Sequence, residues 1–200
     1  MRGNMKVLTE TNLPGLSHKG KVRDTYELGA DQLLMVATDR ISAFDVILPT
    51  GIPSKGVILN KISAFWFRQT EDLLPNHLIA TYDDPEFNEI VKHFSDIERF
   101  PREVLLRSMI VRKAERFDVE CIARGYLTGS GWEEYRMFGT VGGAPQPLGL
   151  VNGSKLPEVL FTPTTKAEEG HAQPLAMDDM RDIFGAELTQ TLKEATIQLY

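Results

Sequence analysis

The feature that most constrains the fold is a pair of strand patterns near the start of the chain. Residues 22–28 alternate with the period of two that is typical of a half-buried strand. Gly29, Ala30 and Asp31 supply turn residues, and the more apolar residues 33–38 form the pattern of a returning strand. The patterns predict an antiparallel β-hairpin, and therefore a first part that is rich in β-structure.

Farther along the chain the patterns are mixed, which predicts an α+β fold. Apolar residues at helical spacing run from Ile58 to Leu73 and stop before Pro75, which predicts that Phe65 and Trp66 belong to the core. The later predicted elements are strands at 109–114 and 119–123, a helix at 132–138, an irregular excursion at 139–163, and a last helix through Leu188, Leu192, Ala195 and Leu199.

Composition argues against several classes of protein. The 200 residues carry 22 basic and 28 acidic side chains, a net charge of −6, so a large electropositive face for nucleic acid is not expected. The longest clean apolar run, residues 33–37, is far shorter than the ~20 residues of a membrane span. One cysteine allows no internal disulfide, and the lack of an apolar leader in residues 1–12 predicts the cytoplasm as the compartment. The four histidines have no metal-ligand spacing, so they predict no metal site.

Residues 15–22 nearly match the phosphate-binding P-loop, but the match fails at its last position. Val22 has no hydroxyl to offer Mg²⁺, and a strand pattern follows where the motif requires a helix. What remains is Gly20, Lys21 and Arg23 at the entrance to the hairpin, where backbone amides and two cations could cover phosphates as a glycine-rich loop does. A basic surface hairpin is the alternative interpretation.

Three further segments collect polar groups in predicted loops. Residues 39–45 follow a buried strand and hold two carboxylates, an arginine and a serine, which form either a binding loop or an Asp–Arg ion pair that closes a turn. Arg124 leaves a strand, and Ser130 is predicted to cap the next helix, whose N-terminus favours a phosphate. A plain N-cap is the alternative there. Lys166 and His171 share one extended loop that is rich in hydroxyls.

Four segments, in this order along the chain, resemble the SAICAR synthetase family of purine biosynthesis. The matching segments are residues 20–24, 39–45, 119–132 and 161–168. The resemblance implies ATP-dependent ligation of L-aspartate to the carboxylate of CAIR (carboxyaminoimidazole ribotide), with release of ADP and phosphate. It also implies a two-lobed α+β fold related to ATP-grasp proteins and protein kinases. A β-rich lobe that covers the nucleotide is expected at residues 1–113, and a partial α+β lobe at residues 114–200.

The resemblance also implies roles for individual residues. Those expected at ATP are Gly20, Lys21, Val22 and Arg23 over the phosphates, and Lys113, Ala114 and Glu115 as the hinge at adenine. Arg124 and Ser130 are expected at the ribotide phosphate. The rest of the substrate pocket is expected to contain Asp39, Arg40, Ser42 and Asp45, with Lys166 and His171 near the substrate carboxylates.

Two departures from the family pattern bear on activity. After His171 many relatives continue with Asp-Glu, whereas this chain has Ala172-Gln173-Pro174. Relatives also run on past the point that matches Tyr200, and that part supplies the acidic Mg²⁺ ligands, so the chain is expected to be a fragment. The alternatives are a catalytically silent nucleotide- or ribotide-binding module and a kinase-like phosphotransferase that acts on another small anion. The expected partners are small molecules, and monomer and homodimer both stay open.

Overall fold

The computed structural model describes residues 6–43, 46–166 and 173–200. Asp45 and His171, two of the predicted substrate residues, lie outside these ranges. The chain forms two compact units, Met1–Glu115 and Arg116–Tyr200. Each unit combines strands with helices, which confirms the predicted α+β class. None of the helices in the described ranges is both long and apolar enough to cross a membrane.

The first unit is built on one five-stranded antiparallel sheet. Its elements are, in chain order, β1 (Leu16–Lys19), β2 (Arg23–Leu28), β3 (Gln32–Ala37), β4 (Ser42–Ala43), β5 (Val46–Ile47), α1 (Lys55–Gln69), β6 (Leu78–Thr81), α2 (Pro85–Val91), α3 (Ser95–Glu98), α4 (Arg102–Leu105) and β7 (Ser108–Arg112). The strand order in the sheet is β1-β2-β3-β7-β6, and β4 pairs with β5 separately. Strands β2 and β3 pair from Arg23 opposite Ala37 to Leu28 opposite Gln32, which confirms the predicted hairpin.

One face of this sheet carries the core of the unit. Tyr26 of β2, Leu34 of β3 and Ile110 of β7 are buried there, and they pack with Phe87 of α2 and other apolar residues of the short helices. Successive residues of a strand point to opposite faces of a sheet. The opposite face therefore carries Met35, and α1 lies against that face.

Helix α1 lies on the sheet through small residues, so the predicted core positions of Phe65 and Trp66 are wrong. These two side chains are 53% and 59% exposed, whereas Gly56 and Ala64 are buried. The reason is close approach, because a Cβ on Gly56 would lie 2.1 Å from the carbonyl oxygen of Ala37. Only a residue without a side chain allows the helix to begin this near the strand.

The second unit contains three two-stranded antiparallel pairs and three helices among its described residues. Its elements are β8 (Val119–Glu120), β9 (Ala123–Tyr126), α5 (Gly129–Phe138), β10 (Thr140–Val141), β11 (Ala144–Pro145), β12 (Lys155–Phe161), β13 (Thr164–Thr165), α6 (Met177–Phe184) and α7 (Ala186–Leu199). The pairs are β9 with β12, β8 with β13, and β10 with β11. Helix α7 confirms the predicted last helix.

The predicted irregular excursion at 139–163 is wrong over β12. This strand pairs with β9, and its Leu156 is buried in a small core with Leu127 and Val141. Pro157 is tolerated because a strand in a two-stranded pair has an edge on which no amide has to donate. Trp132 of α5 packs on the same core, which fixes the start of α5 relative to β9.

Candidate functional site

The first candidate site is the turn between β1 and β2, which contains Gly20, Lys21 and Val22. The amide of Gly20 donates to the carbonyl of Arg23 across 2.7 Å and closes the turn. Thr38 donates to the carbonyl of Val22 through its amide, at 3.0 Å, and through its hydroxyl, at 2.9 Å. The turn therefore has a fixed shape, with Arg23 exposed beside it.

Arg40 holds this turn from the protein interior. Its Nη2 donates to the carbonyl of Gly20 across 2.8 Å, and its Nε donates to the carbonyl of Lys21 across 3.0 Å. The same guanidinium forms a buried ion pair with Asp24, with 2.6 Å between Nη2 and Oδ1. Because Arg40 is buried and its donors are used within the protein, the expectation that it lies in the substrate pocket is corrected. Arg40 instead shapes the glycine turn.

The neighbouring Asp39 is fully buried and anchors the start of α1. Its Oδ1 accepts the amide of Gly56 at 2.9 Å, and its Oδ2 accepts the amide of Leu8 at 2.8 Å. Nη1 of the buried Arg107 lies 2.7 Å from Oδ1, an ion pair in which this nitrogen makes no hydrogen bond. Asp39 has no exposed surface to offer a substrate, so its predicted substrate contact is corrected as well. Asp39 and Arg40 both form ion pairs, but each with a partner outside residues 39–45.

A cavity of about 60 Å³ lies between α1 and the sheet face that it covers in part. Its lining includes Met35 and Met109 of the strands, Phe67 of α1, and two cations, Arg23 and Lys55. An apolar lining with a few polar or charged groups is typical of sites for small molecules.

Lys55 is a functional candidate that none of the sequence motifs contains. Burial lowers the pKa of its amino group, Asp39 acts in the opposite direction, and Arg23 lowers the pKa further. His77 lines the same cavity, and its pKa is lowered by burial and then by Arg23. Lys55 reaches the cavity only in the folded chain. Asp39 anchors the amide of the next residue, Gly56, and this contact places Lys55 beside the cavity.

The predicted adenine hinge directly follows strand β7 of the sheet. The amide of Lys113 donates to the carbonyl of Asp31 across 2.7 Å, and its amino group pairs with Glu27 across 3.2 Å. Ala114 and Glu115 are exposed. Exposed backbone groups next to a buried strand are what a contact with adenine requires, and the assignment of these residues to adenine stays a prediction.

Two further predicted substrate residues, Ser42 and Lys166, lie in or directly after short paired strands. Ser42 of β4 is half-buried and opposite Ile47 of β5. Lys166 is exposed, and its amide donates to the carbonyl of Asp118 across 3.2 Å. For both side chains, contact with a substrate stays a prediction.

The second candidate site lies at the start of α5. Arg124 of β9 donates from Nε to the hydroxyl of Thr162 across 2.9 Å, and from Nη2 to the hydroxyl of Ser130 across 3.0 Å. Helix α5 begins at Gly129 with Thr128 as its N-cap, so the predicted cap at Ser130 is wrong, and Ser130 lies in the first turn. Amides of a first turn have no intrahelical acceptor and carry the positive end of the helix dipole. A guanidinium, hydroxyls and these amides together form a donor set that suits a phosphate group.

Thr162 is a second candidate residue that the sequence patterns did not single out. It is buried, and it lies 38 positions from Arg124 in the chain. The pairing of β9 with β12, in which Phe161 is opposite Ala123, brings the two together. A strand prediction for β12 could have found this contact.

Glu134 holds the loop beside this site. Its carboxylate accepts the amides of Gly142 and Gly143 at 2.9 Å each, and the hydroxyl of Thr140 at 2.8 Å. Partial burial acts to raise the pKa of Glu134, but these three donors and the charge of Arg124 outweigh it, so the pKa lies below its usual value of 4.5.

The described residues do not fit a metal ion with several protein ligands. Among residues 6–43, 46–166 and 173–200, no three acidic, histidine or cysteine side chains are grouped so that they could hold a metal.

The fold and the sites define an α+β protein of two units, each with a candidate site for phosphate groups. The family model of SAICAR synthetase matches residues 16–200. The chain therefore belongs to the SAICAR synthetase family, as the sequence motifs predict.

Two relatives and one solved structure illustrate this similarity. The chain is 49% identical over 196 residues to the phosphoribosylaminoimidazole-succinocarboxamide synthase of Thermodesulfovibrio yellowstonii, and 47% identical over 197 residues to that of Geobacter metallireducens. The SAICAR-synthase from Saccharomyces cerevisiae, complexed with SAICAR, is 38% identical, with a TM-score of 0.81 over 98% of this chain. The matches cover 97% of this chain in both relatives, and the chain spans 64% of the length of each of the three proteins.

Proposed function

We propose that this chain supplies the binding sites for ATP and CAIR in a ligase that joins L-aspartate to CAIR and forms SAICAR, ADP and phosphate. Membership of the family and the names of its relatives support this reaction. A carboxylate oxygen of CAIR attacks the γ-phosphorus of ATP, so that ADP leaves and an acyl phosphate forms. The amine of aspartate then attacks the acyl carbon, phosphate leaves with the electron pair of its bond, and the nitrogen loses a proton. Such chemistry depends mainly on positioning and charge neutralisation.

In this proposal the first unit binds ATP. The turn at Gly20, Lys21 and Val22, together with Arg23, covers the phosphates, and residues 113–115 contact adenine. The support is the rigid shape of the turn, which Arg40 and Thr38 hold through hydrogen bonds to its carbonyls. A turn that is fixed before binding loses little conformational entropy when a phosphate orders its amides.

The second unit binds the phosphate of the ribotide at the start of α5. The single observation that carries this assignment is the geometry of Arg124, whose guanidinium is held by the hydroxyls of Thr162 and Ser130 next to the first turn of the helix. A phosphate there would receive charge-assisted hydrogen bonds from Arg124 and neutral ones from the hydroxyl and the helix amides. Ser42, Asp45, Lys166 and His171 are proposed as further contacts with the substrates.

Binding and turnover of CAIR together test the proposal. CAIR binding is measured by titration calorimetry on the 200-residue chain and on the variants Arg124→Ala and Arg136→Ala. Arg136 is the control, because it lies on α5, whose first turn forms the site, and pairs on the surface with Glu133. We expect Arg124→Ala to weaken CAIR binding by about 2 kcal/mol, roughly 30-fold, since a hydrogen-bonded charge is lost. Arg136→Ala is expected to bind as the unchanged chain does.

The same chain is then assayed for release of ADP from ATP with CAIR, L-aspartate and Mg²⁺, omitting each substrate in turn. Release that requires both CAIR and aspartate supports the ligase. CAIR binding without release supports binding sites alone, as in the silent module. Release without aspartate favours a kinase-like phosphotransferase. Equal CAIR affinity of the two arginine variants would refute the assignment of the ribotide site.

A further inference from the structure

Two cations share the cavity beneath α1, and no carboxylate in the described part of the chain forms an ion pair with either of them. Arg23 and Lys55 both line this cavity. Among the residues that the structure describes, neither side chain forms an ion pair or a hydrogen bond, whereas Arg40 and Arg107 are each paired with an aspartate. The two cations also repel one another, which is one reason that the pKa of Lys55 is lowered.

The position of Lys55 is determined by the fold and not by its own side chain. Asp39 fixes the amide of Gly56, the next residue, and the missing Cβ of Gly56 lets the helix start against the carbonyl of Ala37. The amide of Lys55 itself donates to the carbonyl of Ile52 across 3.1 Å. The protein therefore holds a partly desolvated ammonium group at a defined place; the charge of Asp39 offsets this desolvation in part, but no carboxylate of the described residues forms an ion pair with it.

We propose that Lys55 is a further phosphate-binding residue, which acts with Arg23 on the phosphate groups of the nucleotide. The inference rests on the proposed ATP site of the first unit and adds a residue that lies outside its motif. An anion between the two cations removes their repulsion and supplies the missing counter-charge, whereas an uncharged ligand does neither. Met35 and Met109 line the same cavity and give it an apolar part.

The variant Lys55→Gln tests this proposal, with Lys61→Gln as the matched control. Both lysines lie on α1, and glutamine keeps the helix propensity of lysine. Lys61 lies on the surface and pairs with Asp83 across 3.1 Å. Dissociation constants for ATP, ADP and adenosine are measured by titration calorimetry on the 200-residue chain. We expect Lys55→Gln to weaken ATP binding by ~10-fold or more and to leave adenosine binding unchanged, since only the phosphates lose a charged partner. Lys61→Gln should bind ATP as the unchanged chain does.

A second measurement needs no variant and so is independent of folding defects. The unchanged chain is treated briefly with acetic anhydride at pH 8, with and without ATP, and acetylation of each lysine is quantified by mass spectrometry. ATP is expected to protect Lys55 but not Lys61. Protection of Lys55 by inorganic triphosphate as well would assign the contact to phosphate groups.

The outcomes separate this inference from the function on which it rests. If the unchanged chain binds ATP, but Lys55→Gln binds it equally well and ATP leaves Lys55 unprotected, the role of Lys55 is refuted and the ATP site stands. If the unchanged chain binds neither ATP nor ADP, the proposed nucleotide site fails, and the role of Lys55 fails with it. Loss of ATP affinity and of adenosine affinity together would also overturn the proposal, because it would indicate a structural role for Lys55.

Discussion

Replacing Asp39 with asparagine should strongly lower the free energy of unfolding, because Asp39 is a structural residue and not a substrate contact. Asparagine keeps one acceptor oxygen but directs an NH₂ group at one of the two amides, of Leu8 or Gly56, that now donate to the carboxylate. It also leaves Arg107, which is 1% exposed, as a buried charge without its partner. Breaking a buried ion pair from one side costs about 3–5 kcal/mol.

Urea unfolding of the 200-residue chain, followed by circular dichroism, measures this loss. Asp83→Asn is the control, because Asp83 pairs with Lys61 on the surface, and an exposed pair contributes less than about 1 kcal/mol. The double variant Asp39→Asn with Arg107→Leu should cost less than the sum of its single variants, since the orphaned charge is removed as well. If Asp39→Asn unfolds at the same urea concentration as Asp83→Asn, the structural role assigned to Asp39 is wrong.

Two further predictions concern stability. Trp66→Gln should change the free energy of unfolding by less than about 0.5 kcal/mol, because this side chain is exposed. Ala64→Gln, on the buried side of the same helix, should cost about 1–3 kcal/mol. Equal losses of the two variants in urea unfolding would restore the core position predicted for Trp66. Glu134→Gln should be less stable than the unchanged chain at pH 7, and the difference should shrink as the pH falls toward 3. The pKa of Glu134 is lowered in the folded chain, so its carboxylate stabilises the fold above its usual pKa of 4.5, and that stabilisation is lost as protonation proceeds. A difference that is the same at pH 7 and pH 3 in thermal unfolding would contradict this account.

The hairpin was predictable because its signal is local. Alternation over residues 22–28 and a turn at Gly29 determine which strand pairs with which, and the register follows. The family motifs were likewise recognisable, because each of them is a contiguous segment of the sequence. The glycine turn and Arg124 both lie in structured positions that suit the roles proposed for them.

The incorrect predictions concern features that depend on how closely two elements pack or on pairing between residues that are distant in sequence. Apolar spacing selects the side of α1 with Phe65 and Trp66, but the helix approaches the sheet so closely that only small residues fit there. Asp39 and Arg40 look like a binding loop because charged residues are rarely buried, yet each has a distant partner that the sequence does not indicate. Thr162 and Lys55 become candidates only after the strands pair and the helix is anchored.

The adjacent residues Asp39 and Arg40 connect two elements that are distant in sequence. Arg40 holds the carbonyls of the glycine turn, and Asp39 accepts the amide of Gly56 in the first turn of α1. The end of one strand thus acts as a rigid joint, and the turn and the helix start cannot shift independently of one another. Mutations at this joint should change ligand affinity mainly through the dissociation rate, because most effects of mutations on the affinity of one site appear in that rate.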